Sequence, residues 1–148
     1  MKNFAYALCI GLLFSLKPAF AGPAEEASAL VDQWSATYNS NDRNALVKLY
    51  APDALLFGTN SKIATRGTDG IRDYFVALDN GDRRNTIIDK TVFVLNDSAV
   101  VVAGFYDFSR KDPNYKPVPA RYTMLIVKQG GKWLIEHHHS SPRGAPAP

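Results

Sequence analysis

The 148-residue sequence holds a single cysteine, Cys9, and it falls inside an apolar leader. Phe4 to Leu16 is an apolar stretch of about 13 residues behind the basic start Met1-Lys2-Asn3, and Ala19-Phe20-Ala21 has the A-x-A form of a cleavage site. The stretch is shorter than the roughly 20 residues that a membrane-spanning helix needs, and Lys17 and Pro18 interrupt it. These residues predict a signal peptide over 1–21, cleaved after Ala21, a periplasmic or secreted location, and no membrane span. Residues 22–148 contain no thiol, which excludes a disulfide, a cysteine nucleophile and thiolate metal ligands, so this domain is held by its core.

A strong excess of one charge is missing too. The chain carries 17 Lys+Arg against 14 Asp+Glu, but Lys2 and Lys17 belong to the leader. The remaining domain is close to neutral. Arg83-Arg84 with Arg43, Arg72 and Lys48 read as solvated helix and loop faces, and no nucleic-acid partner is expected. Gly-x-Ser-x-Gly, a Walker loop, a dinucleotide fingerprint and His-Glu-x-x-His are all absent.

What is present is a change of period along the chain. Ala27, Leu30, Val31, Trp34 and Tyr38 recur at helical spacing from Pro23 to Asn39, with Glu25 and Glu26 in the first turn. After the turn Asn39-Ser40-Asn41-Asp42, Asp42 is suited to cap a second helix burying Ala45, Leu46, Leu49 and Tyr50, which Pro52 ends. Ala54–Phe57 reads as a short strand. Thr68 or Asp69 starts a third helix, with Ile71, Tyr74, Phe75 and Leu78 on one side. Beyond Asn80-Gly81-Asp82 the residues favour strands over Thr86–Leu95, Ala99–Ser109, Arg121–Lys128 and Lys132–Ser140. Helices followed by an antiparallel meander define an α+β domain with helices over one face of a curved sheet. The domain is expected to span 22–141, with an extended tail over 142–148.

This order resembles the nuclear transport factor 2-like (SnoaL-like) superfamily, with matching text at Leu49-Tyr50-Ala51-Pro52-Asp53-Ala54, Arg66-Gly67-Thr68-Asp69-Gly70-Ile71 and Gly131-Lys132-Trp133. The resemblance implies a cone-shaped barrel of strongly curved, antiparallel or mixed sheet, about three N-terminal helices over its concave face, and a pocket between them. Gly131 to Ser141 and Gly144-Ala145-Pro146 are similar to the association domain of calcium/calmodulin-dependent protein kinase II and its free-standing bacterial relatives. That likeness implies self-association as a homodimer or larger ring, without kinase activity. The arginines that hold small carboxylates in the kinase hub align near Tyr106, Met124 and Ser140, so that role does not carry over. The oxyanion tyrosine and the carboxylate base of isomerase and hydratase members align with Trp34 and about Gly58, neither of which can move a proton.

The three histidines, His137, His138 and His139, form the densest polar cluster. Strand alternation puts Leu134, Glu136, His138 and Ser140 on one face, expected to line the cavity, while a bulge would exchange the faces. A His-x-His pair can present two imidazoles to zinc, but the third ligand would have to be an acid, and no metal or other cofactor is expected. Arg121 reads as a pocket-rim or ion-pairing residue with Asp107 as partner. A buried tyrosine hydroxyl needs a partner, so Tyr38, Tyr106 and Tyr122 join Arg121, His138 and His139 as candidate ligand-pocket residues. Two functions follow. One is an exported, non-catalytic module that binds an unidentified small organic ligand, self-assembles, or both. The other is a cofactor-free isomerase, hydratase or cyclase with His138 or His139 as general acid–base.

Overall fold

Pro23 supplies the pre-set backbone angle that suits a first helical turn, and the helix it opens, α1 (Pro23–Ser40), runs for 18 residues. Its buried stripe is Ala27, Leu30, Val31, Trp34, Ser35 and Tyr38, the spacing seen in the sequence. The computed structural model describes residues 21–144. All of the expected signal peptide except Ala21 lies outside the described residues, as do the last four residues of the expected tail.

Asp42 caps the next helix, α2 (Arg43–Val47), through an Oδ1 that accepts the Ala45 N–H at 2.8 Å. This helix is shorter than expected. Leu49 instead gives its carbonyl to the Ile135 N–H at 2.8 Å, and Tyr50 pairs with Ile135. Sheet pairing thus takes over the backbone groups that another helical turn would have used. Strand β1 (Tyr50–Phe57) therefore includes Pro52, in the irregular stretch where pairing with the last strand lapses between Tyr50 and Leu55. After the two-residue β2 (Thr65–Arg66), α3 (Gly67–Tyr74) passes into a 3-10 turn over Phe75–Asn80.

Sequence alone joined Thr86–Leu95 into one strand; the structure divides it into β3 (Arg83–Ile87) and β4 (Thr91–Asn96). Both pair with β5 (Ala99–Arg110), β3 on its second half and β4 on its first. The break is set by a close crossing. The Ile88 and Asp89 N–H groups both donate to the Phe105 carbonyl, Asp89 Oδ1 accepts the Phe105 N–H at 2.7 Å, and a Cβ on Gly104 would stand 2.2 Å from the Asp89 carbonyl oxygen. Only glycine leaves room there.

The sheet is completed by β6 (Val118–Gln129) and β7 (Lys132–Pro142), in the order β2-β1-β7-β6-β5-β3 with β4 also on β5. All neighbours are antiparallel except β1 and β7, so the sheet is mixed. It curls around the helices without closing into a full barrel. Its inner face carries Val100, Val102, Tyr106, Ala120, Tyr122, Met124 and Ile126, all buried. Removing so large and well-packed a side chain as Trp34, 1% exposed, would cost about 3–5 kcal/mol.

Two side chains at the end of α1 stand in for a strand. Asn39 accepts the Asn85 N–H at 2.6 Å and donates to the Asn85 carbonyl at 2.9 Å; Asn41, held in the left-handed region at φ 60°, does the same for Arg83 at 2.9 and 3.1 Å. Their amides satisfy the edge of β3 that faces away from β5. The turn expected at these residues is also a clamp.

Candidate functional site

Strand β7 carries the histidines, and a bulge decides which way each points. Ile126 pairs with Ile135 but Leu125 pairs with His137, so Glu136 is the extra residue and alternation restarts beyond it. Ile135, His138 and Ser140 consequently all face inward and are buried. Of the face expected to line the cavity, Leu134 and Glu136 therefore do not join His138 and Ser140. His137 and His139 lie on the outer face on either side of the Phe57 ring, at centroid distances of 5.7 and 6.1 Å. Among the described residues, no group of His, Cys, Asp or Glu is arranged to hold a metal ion.

His138 sits in a hydrogen-bonded chain within the aromatic core. The Trp34 indole N–H donates to the Tyr50 hydroxyl at 2.8 Å, the Tyr50 hydroxyl meets His138 Nδ1 at 2.9 Å, and His138 Nε2 meets the Tyr106 hydroxyl at 3.2 Å. Nearby, the Ser140 and Thr59 hydroxyls bond to each other. Burial, with a smaller contribution from His137 and His139, pulls the His138 imidazole down to about 3, so it is neutral at physiological pH. Burial pushes the Tyr50 and Tyr106 phenols up, which keeps them protonated as well. With both ring nitrogens occupied, His138 has no lone pair left for a substrate proton.

Open space lies beside Thr59. A cleft of about 350 Å³ has aromatic walls from Tyr38, Tyr74, Phe75 and Phe108 and a polar rim from Thr59, Asn60, Ser61, Arg83 and Tyr115. Its size is at the small end of the range for organic ligands. The Tyr38 phenol is pushed up to about 12 by burial, against the pull of the Arg83 charge. The Tyr74 phenol is also raised by burial, against a smaller lowering from the Thr59 backbone. Among the described residues, no carboxylate or imidazole lines the cleft. What it offers is ring surface, hydroxyl groups and one guanidinium.

The candidate residues thus fall in three places. Tyr38 lines the cleft. Tyr106 and His138 lie behind it, and Tyr122 is buried further along the sheet with its hydroxyl donating to the Asp89 carbonyl at 3.1 Å. Arg121 and His139 project from the outer face and do not reach it. Asp107 pairs with Arg143 at 3.7 Å rather than with Arg121. Arg83, read from sequence as a solvated charge, is half-buried at the cleft, because Asn41 fixes its backbone there. Thr59 and Tyr74 were not singled out from sequence as site residues. The one signal for them was Gly58, a glycine beside a polar loop in the position of a missing base.

A family model described as SnoaL-like domain matches residues 27–146. A solved structure from Xanthomonas campestris, described as a candidate calcium/calmodulin dependent protein kinase II association domain, is 36% identical. It aligns with 85% of this chain and 91% of its own at a TM-score of 0.74. A ketosteroid isomerase-like protein from Erwinia carotovora superposes at 0.70 with 17% identity over 85% of this chain and 100% of that one. A candidate scytalone dehydratase from Novosphingobium aromaticivorans superposes at 0.72 with 11% identity over 80% and 83%. The last two likenesses are of fold alone. No curated protein matches the sequence.

Proposed function

The chain belongs to the SnoaL-like domain family, and on that premise we propose that it is an exported, non-catalytic module that holds a small organic molecule in the cleft beside Tyr38 and Arg83 and associates with copies of itself. The observation that carries the binding role is the cleft's chemistry: aromatic walls and fixed hydrogen-bonding groups without a base. An acid–base mechanism through His138 finds no support in a ring whose two nitrogens are both bonded inside the core.

Self-association is supported by the outer face of the sheet. Phe57 on β1, Phe93 on β4 and Phe105 on β5 are 41%, 54% and 37% exposed there. The association-domain likeness of the Xanthomonas protein points the same way. Export is supported by the basic start, the short apolar run and Ala19-Phe20-Ala21. Among the described residues no helix is long and apolar enough to cross a membrane.

Native mass spectrometry of the protein recovered from the periplasmic fraction of its own host tests the binding role. A retained organic mass is expected, and Ala77→Trp, which plugs the cleft from the 3-10 turn, should abolish it. Retention unchanged by the plug would remove the cleft from the argument.

A further inference from the structure

Among the described residues that line the cleft, Arg83 alone carries a charge, and its side chain is 24% exposed. Its backbone cannot swing away. Asn41 meets both the Arg83 N–H and its carbonyl, and the Arg84 guanidinium donates to the same carbonyl at 2.6 Å. The guanidinium is therefore carried on a fixed base at the cleft.

Asp82 meets this guanidinium without satisfying it. Arg83 Nε stands 3.6 Å from Asp82 Oδ1, too far for a hydrogen bond, and both atoms are buried with no hydrogen-bond partner among the described residues. Asp82 Oδ2 accepts instead from Arg110 at 3.2 Å, and Arg110 lies over the Tyr115 ring at 5.0 Å. Two guanidiniums thus share one carboxylate, which leaves a positive charge uncompensated between them. Next to it are rings: Tyr38 lies 5.4 Å from Phe108 and 6.3 Å from Phe75, centroid to centroid, and all three line the cleft. The Tyr38 phenol stays protonated, so it adds a donor and not a competing anion.

Resting on the binding role assigned to the cleft, we infer that its ligand is an aromatic carboxylate, with the carboxylate on Arg83 and the ring against Tyr38 and Phe108. A ligand carboxylate can take the hydrogen-bonded pairing that Asp82 does not give. Such a bond to a charged group raises affinity by about tenfold or somewhat more over a neutral ligand of the same shape. Asp82 works against it, because it partly neutralises the same guanidinium.

The test uses two probes of one shape: 2-naphthoate, and 2-acetonaphthone, in which a methyl group replaces the charged oxygen. Titrations followed by naphthalene fluorescence should show the wild-type protein preferring the acid by about tenfold, with the gap narrowing as salt is added. Arg83→Gln should remove most of that preference and leave the ketone bound nearly as before. Asp82→Asn, which keeps the shape and removes the competing charge, should widen the preference several-fold, a gain that a folding defect does not imitate. A ratio of the two affinities unchanged in both variants overturns the inference. Equal affinity of wild type for the two probes overturns it while keeping the cleft as a binding site, and acetate bound as tightly as 2-naphthoate overturns the part played by the rings. Binding of neither naphthalene probe overturns the inference and the binding role together.

Discussion

Tyr74 occupies the space that a side chain at Gly58 would need: a Cβ built on Gly58 would lie 2.1 Å from both Cζ and Oη of Tyr74. The position that the family likeness gives to a catalytic carboxylate is therefore filled by a phenol from the neighbouring helix. Gly58→Ala should destabilise the protein by about 1–3 kcal/mol through overpacking. The same change made together with Tyr74→Ala should cost less than the sum of the two single changes. A double-mutant cycle by urea unfolding measures this coupling, and additive costs would mean that the two residues do not compete for one space.

Acid should act on His138. Its folded-state value of about 3 lies below the ordinary imidazole value of 6.5, so the unfolded chain binds a proton that the folded one refuses. The resulting stability is fully present above about 6.5 and is lost as pH falls toward 3, at up to about 1.4 kcal/mol per pH unit. Unfolding midpoints between pH 6.5 and 5, where carboxylates contribute least, should fall with pH. His138→Gln should flatten that slope.

Asn39 should matter beyond its helix. Its amide meets both backbone groups of Asn85, so Asn39→Ala leaves one donor and one acceptor without their partners, at a cost of about 1–3 kcal/mol. Thermal unfolding would reveal it. Ser40→Ala, which loses two exposed bonds, one to the Thr37 carbonyl and one from the Asp42 N–H, should be close to neutral and serves as the control.

If the outer sheet face is the assembly surface, a charge placed on it should separate the subunits. Phe57→Lys or Phe105→Asp is expected to lower the mass seen in sedimentation velocity to that of a monomer while the circular dichroism stays native. An unchanged sedimentation coefficient for both would place the contact elsewhere.

The periodicity of α1 was legible because a helix packed on a sheet shows its buried stripe directly as residue spacing: Ala27, Leu30, Val31, Trp34 and Tyr38 needed no tertiary information. The strand residues of β5, β6 and β7 were legible for the same reason. The boundary at Tyr50 was not, since helix and strand compete there for the Leu49 carbonyl and the winner depends on Ile135, 86 residues away. The facing of the histidines depended on Glu136 being skipped in pairing, which no property of Glu136 announces. Residues of the cleft were the least legible. Thr59, Tyr74 and Arg83 come together only because Gly58 is small, α3 turns back over β1, and an asparagine holds β3.

That last contact ties the cleft to the end of α1. The amide protons of Arg83 and Asn85 are held by asparagine side chains rather than by a neighbouring strand. They can be released to water by side-chain rotation, without any strand separating, so they should exchange with deuterium earlier than the amides that β3 donates to β5. A molecule seated against Arg83 would slow them. Backbone exchange at these two positions would then report cleft occupancy even for a ligand with no optical signal.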